Sequence, residues 1–397
     1  MRRSRWAAIL VTSAVVLAAC GGSSGGGEAF DPLTDDPNEA DAPAAPEREE
    51  VAGTDLTTHA VPLADVVFDT FDGGSVPLSA ASEEQVLSLR DAIVPISEPR
   101  YVAASSVADV LEPDEPVLGY VASGDAYAYP HRILFVHEIV NDTLGGEPVL
   151  VSYCPLCNSG VVFDRRLPDG TELTFGNTSA LYENDLVMYD HQTFSYWWQV
   201  PGRAIVGELS GTELEALPST TTTWEEWAEL HPDTQVLSLD QGFGIDYRPR
   251  STDDIAAGVD AGQPPFPVDP DVLDDDRLPS SAQVVGVEVG GDARAFPVTG
   301  EPDAAHGTVG GTPVVVLLQP DGGAAFRARA PDGEPLTFAV APDGRGWTDE
   351  ETGTRWDAAG RGVHGPLGGE QLEPLPSRST FWFAYLASFP DVTVSSP

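Results

Sequence analysis

Short runs of apolar and β-branched residues alternate with turn residues along most of this chain. Four such runs lie at residues 148–153, 160–164, 172–175 and 186–189, and Gly, Pro, Asn or Asp residues lie between them. Runs of this length and composition predict short β-strands. Residues 222–230 begin with threonines suited to cap a helix and continue with an amphipathic pattern, which predicts a helix. The predicted fold class is therefore mainly β with a few short helices, a β-rich α+β fold.

One series of motifs occurs twice along the chain, over residues 117–239 and again over residues 284–392. The matched motifs include Ala126-Tyr127-Ala128-Tyr129-Pro130 with Ala293-Arg294-Ala295-Phe296-Pro297, Thr143-Leu144-Gly145-Gly146 with Thr308-Val309-Gly310-Gly311, Trp197 with Trp356, and Gly202-Arg203 with Gly360-Arg361. Matches in one order predict two related tandem repeats, the second of them degenerate. We place the first repeat at residues 59–246, a Pro/Asp-rich connector at 247–283 and the second repeat at 284–397.

The N-terminus has the pattern of an exported lipoprotein. Basic residues precede an apolar run over residues 6–18, and small residues then lead to Cys20 and Gly21. The run is too short to span a bilayer comfortably, so the pattern predicts a cleavable signal peptide at residues 1–19 and a lipid on Cys20. Residues 20–58, which have few large apolar groups, would form a flexible acidic tether. The expected location is extracytoplasmic, with the protein anchored to a bacterial membrane through the lipid on Cys20.

The charge excludes some partners but predicts no function. The chain has 63 acidic and 20 basic residues, which gives a net charge of -43. Without a cluster of Lys or Arg to neutralise phosphates, we expect no nucleic-acid partner and no electrostatic docking on anionic lipid. The sequence also predicts no nucleotide cofactor. A large negative charge keeps a surface hydrated, and that is the simplest interpretation of this one.

The most specific chemical motif is Cys154-Pro155-Leu156-Cys157, which lies between two predicted strands. A Cys-x-x-Cys turn brings two sulfurs close enough to share one metal ion or to form a disulfide. A β context favours a metal-binding turn over the helix start of a thioredoxin-like enzyme. Two alternatives stay open, a pair of cysteines active in thiol-disulfide or electron transfer and a structural disulfide.

Two cysteines leave a metal site incomplete, so histidines are the expected further ligands. The candidates are His131, His137 and His191, and we favour His137 because its neighbours are polar. Every thiol and imidazole of the first repeat is missing from the second, whereas Asp190 has a counterpart there. We therefore expect chemistry in the first repeat only and a structural role for Asp190.

Several strings in the first repeat resemble one known family. They are Tyr129-Pro130-His131-Arg132-Ile133-Leu134, His137-Glu138-Ile139-Val140-Asn141-Asp142, Tyr153-Cys154-Pro155-Leu156-Cys157, Phe163-Asp164-Arg165, Phe175-Gly176 and Leu186-Val187-Met188-Tyr189-Asp190. Together they resemble the bacterial and archaeal family known as domain of unknown function 3179, from about Asp91 to the C-terminus. The chain departs from the family pattern around residues 182–185 and at His191, where Arg is expected. The resemblance implies an exported, often lipid-anchored protein and no particular reaction.

These observations give one main hypothesis for the function. We predict a membrane-anchored protein that binds one transition-metal ion, copper or zinc, through Cys154, Cys157 and histidine. The first alternative is a thiol-disulfide oxidoreductase or electron-transfer partner that uses the same cysteine pair. The second is a non-enzymatic binding module in which the pair forms a structural disulfide.

Overall fold

A computed structural model describes residues 48–395, and this part of the chain forms one compact unit built mainly of β-strands. The helices are α1 (Glu83–Leu89), α2 (His131–His137), α3 (Trp224–Leu230), α4 (Asp253–Asp260), α5 (Pro270–Leu273) and α6 (Trp382–Ser388), with a 3₁₀ turn at Ala104–Ser106. Among the described residues, no helix is long and apolar enough to cross a membrane.

The strands up to residue 237 are β1 (Glu50–Val51), β2 (Thr54–Asp55), β3 (Val67–Asp69), β4 (Ser75–Pro77), β5 (Tyr101–Ala103), β6 (Pro116–Ala122), β7 (Asp125–Pro130), β8 (Ile139–Leu144), β9 (Glu147–Cys154), β10 (Ser159–Asp164), β11 (Phe175–Tyr182), β12 (Asp185–Asp190), β13 (Tyr196–Trp198), β14 (Arg203–Val206), β15 (Glu215–Leu217), β16 (Ser219–Thr223) and β17 (Gln235–Leu237). The later strands are β18 (Gln283–Val289), β19 (Asp292–Pro297), β20 (Asp303–Val309), β21 (Thr312–Gln319), β22 (Gly322–Arg327), β23 (Phe338–Val340), β24 (Trp347–Asp349), β25 (Arg355–Trp356), β26 (Gly362–His364), β27 (Pro374–Leu375), β28 (Ser377–Phe381) and β29 (Thr393–Val394).

The mainly β fold class is confirmed, and so are most of the predicted elements. Strands β9, β10 and β12 cover three of the four predicted runs, and α3 covers the predicted helix, capped by the Thr223 hydroxyl. The strand predicted at residues 172–175 is mostly wrong, since β11 begins only at Phe175. The polar residues after Gly176 had concealed this strand, and their side chains bond to backbone groups; Asn177, for example, accepts from the Ser179 N–H at 2.6 Å.

Residues 48–58, which we had assigned to the flexible tether, are ordered instead. They contain the β1–β2 hairpin, in which Val51, Thr54 and Leu56 are buried. Two apolar side chains in a short polar segment gave too weak a hydrophobic signal for a strand pair to be predicted. The predicted signal peptide, Cys20 and the rest of the tether lie outside the described residues.

The two predicted repeats, residues 59–246 and 284–397, are called the first and the second segment from here on. Each of the two large sheets combines strands of both segments. The nine-stranded sheet has the order β20-β21-β22-β16-β6-β7-β17-β5, with β27 paired to β22, and the eight-stranded sheet has the order β29-β19-β18-β28-β10-β9-β8, with β15 paired to β10. The first sheet joins β16 to β22 where Thr221 faces Gly323, and the second joins β28 to β10 where Ser379 faces Gly160. The two segments therefore exchange strands and share one compact unit.

Strands occur in the same order in the two segments, and equivalent side chains make equivalent contacts. Asp190 accepts hydrogen bonds from the Thr193 hydroxyl and the Trp197 indole. In the second segment Asp349 accepts from the Thr352 hydroxyl and the Trp356 indole. These bonds give Asp190 a structural role. Below, residues of the two segments that occupy the same position in the strand register are called counterparts. A common origin of the two repeats stays a prediction from the sequence.

Residues 247–283, the predicted connector, contain α4 and α5. Val259 on α4 is buried in a hydrophobic core that contains residues of both segments. The connector also meets the β11–β12 turn, where the Phe266 N–H donates to Asn184 Oδ1 at 3.0 Å. It therefore covers one side of the first segment.

Close packing at Gly119 gives a test of this architecture. A Cβ atom at Gly119 would lie 2.2 Å from the ring of Trp227 on α3, and one at its counterpart Gly286 would lie 2.1 Å from Tyr385 on α6. Gly119→Ala should therefore lower the free energy of unfolding by about 1–3 kcal/mol, the usual range for overpacking. Chemical denaturation measures the change, with Val121→Ala, at an exposed position of the same strand, as the control. A loss no larger than that of the control would contradict the packing described here.

Candidate functional site

The two cysteines lie on the turn that joins β9 to β10. Cys154 ends β9 and pairs with Ser159 at the start of β10, so residues 155–158 form the turn. Asn158 has a left-handed backbone with φ 45°, which asparagine tolerates better than most residues. Both thiols therefore lie where the chain reverses at the end of this hairpin.

Strand β28 of the second segment holds the backbone of this turn. The Cys157 carbonyl accepts hydrogen bonds from the Phe381 N–H at 2.8 Å and the Thr380 hydroxyl at 3.2 Å. The Asn158 side-chain amide donates to Gln283 Oε1 at 2.9 Å. The position of the cysteines thus depends on strands more than 100 residues away in sequence.

Asp185 completes a group of three side chains that can bind a metal. Cys157 Sγ lies 3.1 Å from Cys154 Sγ and 3.0 Å from Asp185 Oδ1, and the three ligand atoms lie within 4.8 Å of one another. All three side chains are buried, with exposures of 1% for Cys154 and 0% for the others. Asp185 Oδ2 accepts from the Val200 N–H at 2.9 Å, which fixes the carboxylate. We call Cys154, Cys157 and Asp185 the cysteine-aspartate group.

Burial works against ionisation at each member of this group. It raises the pKa of both cysteine thiols, that of Cys157 well above its usual value. It also raises the pKa of Asp185 to about 6, although the Val200 N–H and the thiols stabilise the carboxylate in part. In the absence of a cation, the group therefore retains protons that it would have to release to bind a metal.

Glu138 places a fourth acidic side chain beside the cysteine-aspartate group. It ends α2 with a left-handed backbone, φ 59°, and its Oε2 accepts from the Asn177 side-chain amide at 2.7 Å. Burial raises the pKa of Glu138 to about 7; the Asn177 hydrogen bond opposes that rise and the charge of Asp185 adds to it.

A cavity of about 220 Å³ adjoins the same residues. Glu138 lines it together with Leu156, which lies between the two cysteines, and Leu186, which follows Asp185. Phe135 and Phe266 make much of the remaining wall apolar. The immediate neighbours of all three members of the group thus form part of one cavity wall.

The elements that meet at this site contain five non-glycine residues with left-handed backbone: Glu138, Asn158, Ser179, Glu183 and Asn184. Glu183 and Asn184 form the turn that leads directly into Asp185, and Ser179 lies at a bulge in β11. Such conformations cost energy and cluster at functional sites, where the surrounding structure holds them in place. The concentration here is a reason, independent of the cysteines, to regard this region as functional.

Of the predicted site residues, the structure brings Cys154 and Cys157 together and places the three histidines elsewhere. His137 is used on both sides, since its Nδ1 lies 2.6 Å from the Val94 carbonyl oxygen and its Nε2 lies 2.7 Å from the Tyr247 hydroxyl. These contacts give the favoured ligand His137 a structural role. Among the described residues, the third ligand atom near the sulfurs belongs to Asp185.

His131 and His191 also lie outside the cysteine-aspartate group. His131 is buried at the start of α2 with its ring 4.6 Å from that of Tyr153, and burial lowers its pKa to about 3. Its Nε2 has no hydrogen-bond partner among the described residues. His191 is exposed and stacks on Tyr189 at 5.1 Å.

Sequence reasoning missed Asp185 and Glu138, yet one signal was present. Asp185 lies five residues before Asp190, and the residue at the same distance before the counterpart Asp349 is Gly344. A comparison of carboxylates between the repeats, and not only of thiols and imidazoles, would have singled out Asp185. Glu138 has the acidic counterpart Asp303, so that comparison would not have found it.

The geometry can now be set beside known proteins. No curated protein and no solved structure matches the chain. Residues 90–392, most of the chain, match a family described as protein of unknown function (DUF3179). The protein that carries this buried cysteine-aspartate group therefore belongs to the DUF3179 family.

Proposed function

We propose that Cys154, Cys157 and Asp185 bind one transition-metal ion, zinc or copper. The single observation that carries this proposal is the approach of three buried ligand atoms to within 4.8 Å of one another. Two sulfurs and one carboxylate form a donor set suited to these metals and not to magnesium or calcium, which prefer oxygen ligands alone.

Charge supports the proposal. Fully ionised, the group places three negative charges in a region with almost no solvent exposure. Uncompensated buried charges are strongly unfavourable, and a divalent cation offsets most of this cost. A bound metal ion would therefore explain why three acidic groups are buried side by side.

Three protein ligands leave one position of a tetrahedral site for another group. Sites with three protein ligands and one exchangeable ligand are typical of reactive metal centres, whereas structural zinc has four protein ligands. The adjacent cavity supports the open type, because Leu156 and Leu186 line it beside the ligands. Glu138 lines it too and is placed to exchange a proton with a molecule held there.

Burial argues against the thiol-disulfide alternative. A partner's disulfide must reach an attacking thiolate, but Cys154 is 1% exposed and Cys157 is 0% exposed. Exchange catalysts also have a lowered thiol pKa, whereas burial raises the pKa of both thiols here.

We further propose that the protein is extracytoplasmic and held to the membrane by a lipid on Cys20. The support is the sequence pattern alone: basic residues, a short apolar run and small residues before the cysteine. The predicted tether would then connect the lipid to the β-rich part of the chain that the structure describes, residues 48–395.

Metal content tests the central proposal. The full chain with Cys20→Ala, purified without chelator, should contain about one zinc or copper ion. Cys154→Ser, Cys157→Ser and Asp185→Asn should each lower the affinity by more than about 100-fold, the upper end of the cost of losing an outer-shell partner. His191→Ala, at an exposed position, should leave the ion in place. Elemental analysis measures how much metal the protein retains, and thiol counting on the same sample measures how many cysteines are free.

The outcomes separate the three functions. A metal-free protein whose thiols are blocked until reduction would contradict the proposal. In that case a potential of roughly −120 to −270 mV would indicate an exchange catalyst, and one below about −300 mV would indicate a structural disulfide.

The raised pKa of Glu138 predicts how stability depends on pH once metal is removed. A carboxyl with a raised folded-state pKa stabilises the fold fully below its unfolded value of 4.5, and this contribution is lost as pH rises through about 7. Glu138→Gln should therefore gain on the order of 3 kcal/mol relative to the parent between pH 4.5 and pH 8. Denaturation of the chelator-treated proteins at both pH values measures the difference, with exposed Glu225→Gln as the control. Parallel pH profiles for parent and Glu138→Gln would show that the carboxyl is not held in this way.

Cys20→Ala tests the anchor. Loss of the thiol removes the attachment point of the lipid, so the protein should move from the membrane pellet to the soluble fraction. Its circular dichroism spectrum should match that of the detergent-solubilised parent, since the β-strands and helices that the structure describes lie within residues 48–395, far from Cys20. A variant that stays in the pellet would exclude a lipid anchor at this residue.

A further inference from the structure

A second site lies at the other junction between the two segments, where β16 and β22 meet. A cavity of about 420 Å³ is bounded there by β6, β16 and α3 of the first segment and by β22 and β27 of the second. It shares no lining residue with the cavity beside the cysteine-aspartate group. Its volume is within the usual range of about 300–1,000 Å³ for small-molecule sites. We call it the junction chamber.

The equivalent space at the β28–β10 junction is filled by an arginine. At the β16–β22 junction, which we call the open half, Thr220 pairs with Gly119. At the β28–β10 junction, the closed half, Arg378 pairs with Gly286, so Arg378 is the counterpart of Thr220. The Arg378 side chain is 4% exposed, donates to the Val200 carbonyl at 2.9 Å and lies 3.6 Å from Glu288. The first segment has only a threonine in its place.

Other substitutions enlarge the same space. Phe163 and Phe326 are counterparts, since each would meet a Cβ placed at the glycine of a Gly-Arg pair. The residue two before Phe163 is Val161, and the residue two before Phe326 is Ala324, which lines the junction chamber on the same face of its strand as Phe326. Val121, two residues after Gly119, replaces Glu288, two residues after Gly286. At several positions, therefore, the side chain at the β16–β22 junction is smaller than its counterpart at the β28–β10 junction.

The chemistry of the walls indicates the type of ligand. The rings of Trp227 and Phe326 line the chamber, and so do Arg361 and His231. Among the described residues that line it, none is acidic, although the chain has 63 acidic residues. Burial and nearby Arg361 lower the pKa of His231 to about 4, so that Arg361 carries the positive charge at neutral pH.

Arg361 is held at the edge of the chamber. Its Nε donates to Asp357 at 2.8 Å and its Nη2 donates to the Leu230 carbonyl at 2.7 Å. Asp357 offsets part of its charge, and the hydrogen bonds fix the guanidinium. A neighbouring groove shares Leu230, His231 and Arg361 with the chamber, so the arginine lies where the two spaces join.

We propose that the junction chamber binds a small planar aromatic molecule with one anionic group. The aromatic part packs between Trp227 and Phe326, and the anionic group meets Arg361. The ligand then fills the volume that Arg378 occupies in the closed half. This site is independent of the proposed metal centre.

Two fluorescent probes test the proposal on the full chain with Cys20→Ala in about 0.15 M salt, where long-range charge effects are screened. The anionic probe 8-anilinonaphthalene-1-sulfonate should bind saturably at one site per chain. The neutral analogue N-phenyl-1-naphthylamine should bind about 10-fold more weakly. Arg361→Gln should remove that preference, because the preference arises from the guanidinium.

Two variants copy the closed half. Val121→Glu with Thr220→Arg restores the arginine and its acidic partner without changing net charge, and Ala324→Val restores the valine found at the equivalent position, Val161, without any charge. Both should weaken sulfonate binding by at least about 10-fold, whereas exposed Ala80→Val should not. The uncharged valine variant keeps the test decisive if the charged pair prevents folding.

Three results would overturn the inference. They are unchanged sulfonate affinity in the folded valine variant, binding without saturation, and equal affinity for the two probes in the parent protein.

Discussion

The exchange of strands between the two segments is the constraint on which the rest of the structure depends. Neither large sheet can form from one segment alone, because β28 pairs with β10 at Gly160 and β16 pairs with β22 at Gly323. The same exchange brings Phe381 and Thr380 to the Cys157 carbonyl. The cysteine turn is thus held by the partner segment, which lacks cysteines altogether but supplies the backbone contacts that bury them.

Local pattern was enough to predict much of the fold. The β-rich class, the strands on either side of the cysteines and helix α3 follow from residue periodicity and capping, which act over a few residues. The cysteine pair was equally accessible, since its spacing is itself the signal. Spacing does not identify Asp185, because no fixed distance from a cysteine marks an aspartate as a ligand, and only a comparison of carboxylates between the two segments distinguishes it. It reaches Cys157, 28 residues earlier in the chain, only because β12 and β9 belong to different sheets that pack together.

His137 shows the same limit of local sequence patterns, because here the pattern suggested a ligand that the structure places elsewhere. His137 looked like a ligand because its neighbours are polar and because the second segment lacks it. Its ring is instead bonded to Val94 and Tyr247, which are 43 and 110 residues away. Absence from one repeat therefore marks a difference between the halves, and a difference arises as readily from packing as from chemistry. Only the contacts distinguish the two: both ring nitrogens of His137 have other partners, and its ring lies outside the group of ligand atoms around the cysteines.

The two junctions differ in opposite ways. At the β28–β10 junction Arg378 fills the space and donates to the Val200 carbonyl, and the Val200 N–H in turn donates to Asp185. At the β16–β22 junction small residues leave a chamber, and the counterpart of Cys154 is Gln319, in a turn that is two residues shorter. The cysteine turn requires backbone partners from the other segment to hold it in place, whereas a ligand chamber requires missing volume. A pseudo-symmetric fold with two equivalent junctions can meet both requirements, because each junction varies without disturbing the strand exchange that joins the halves.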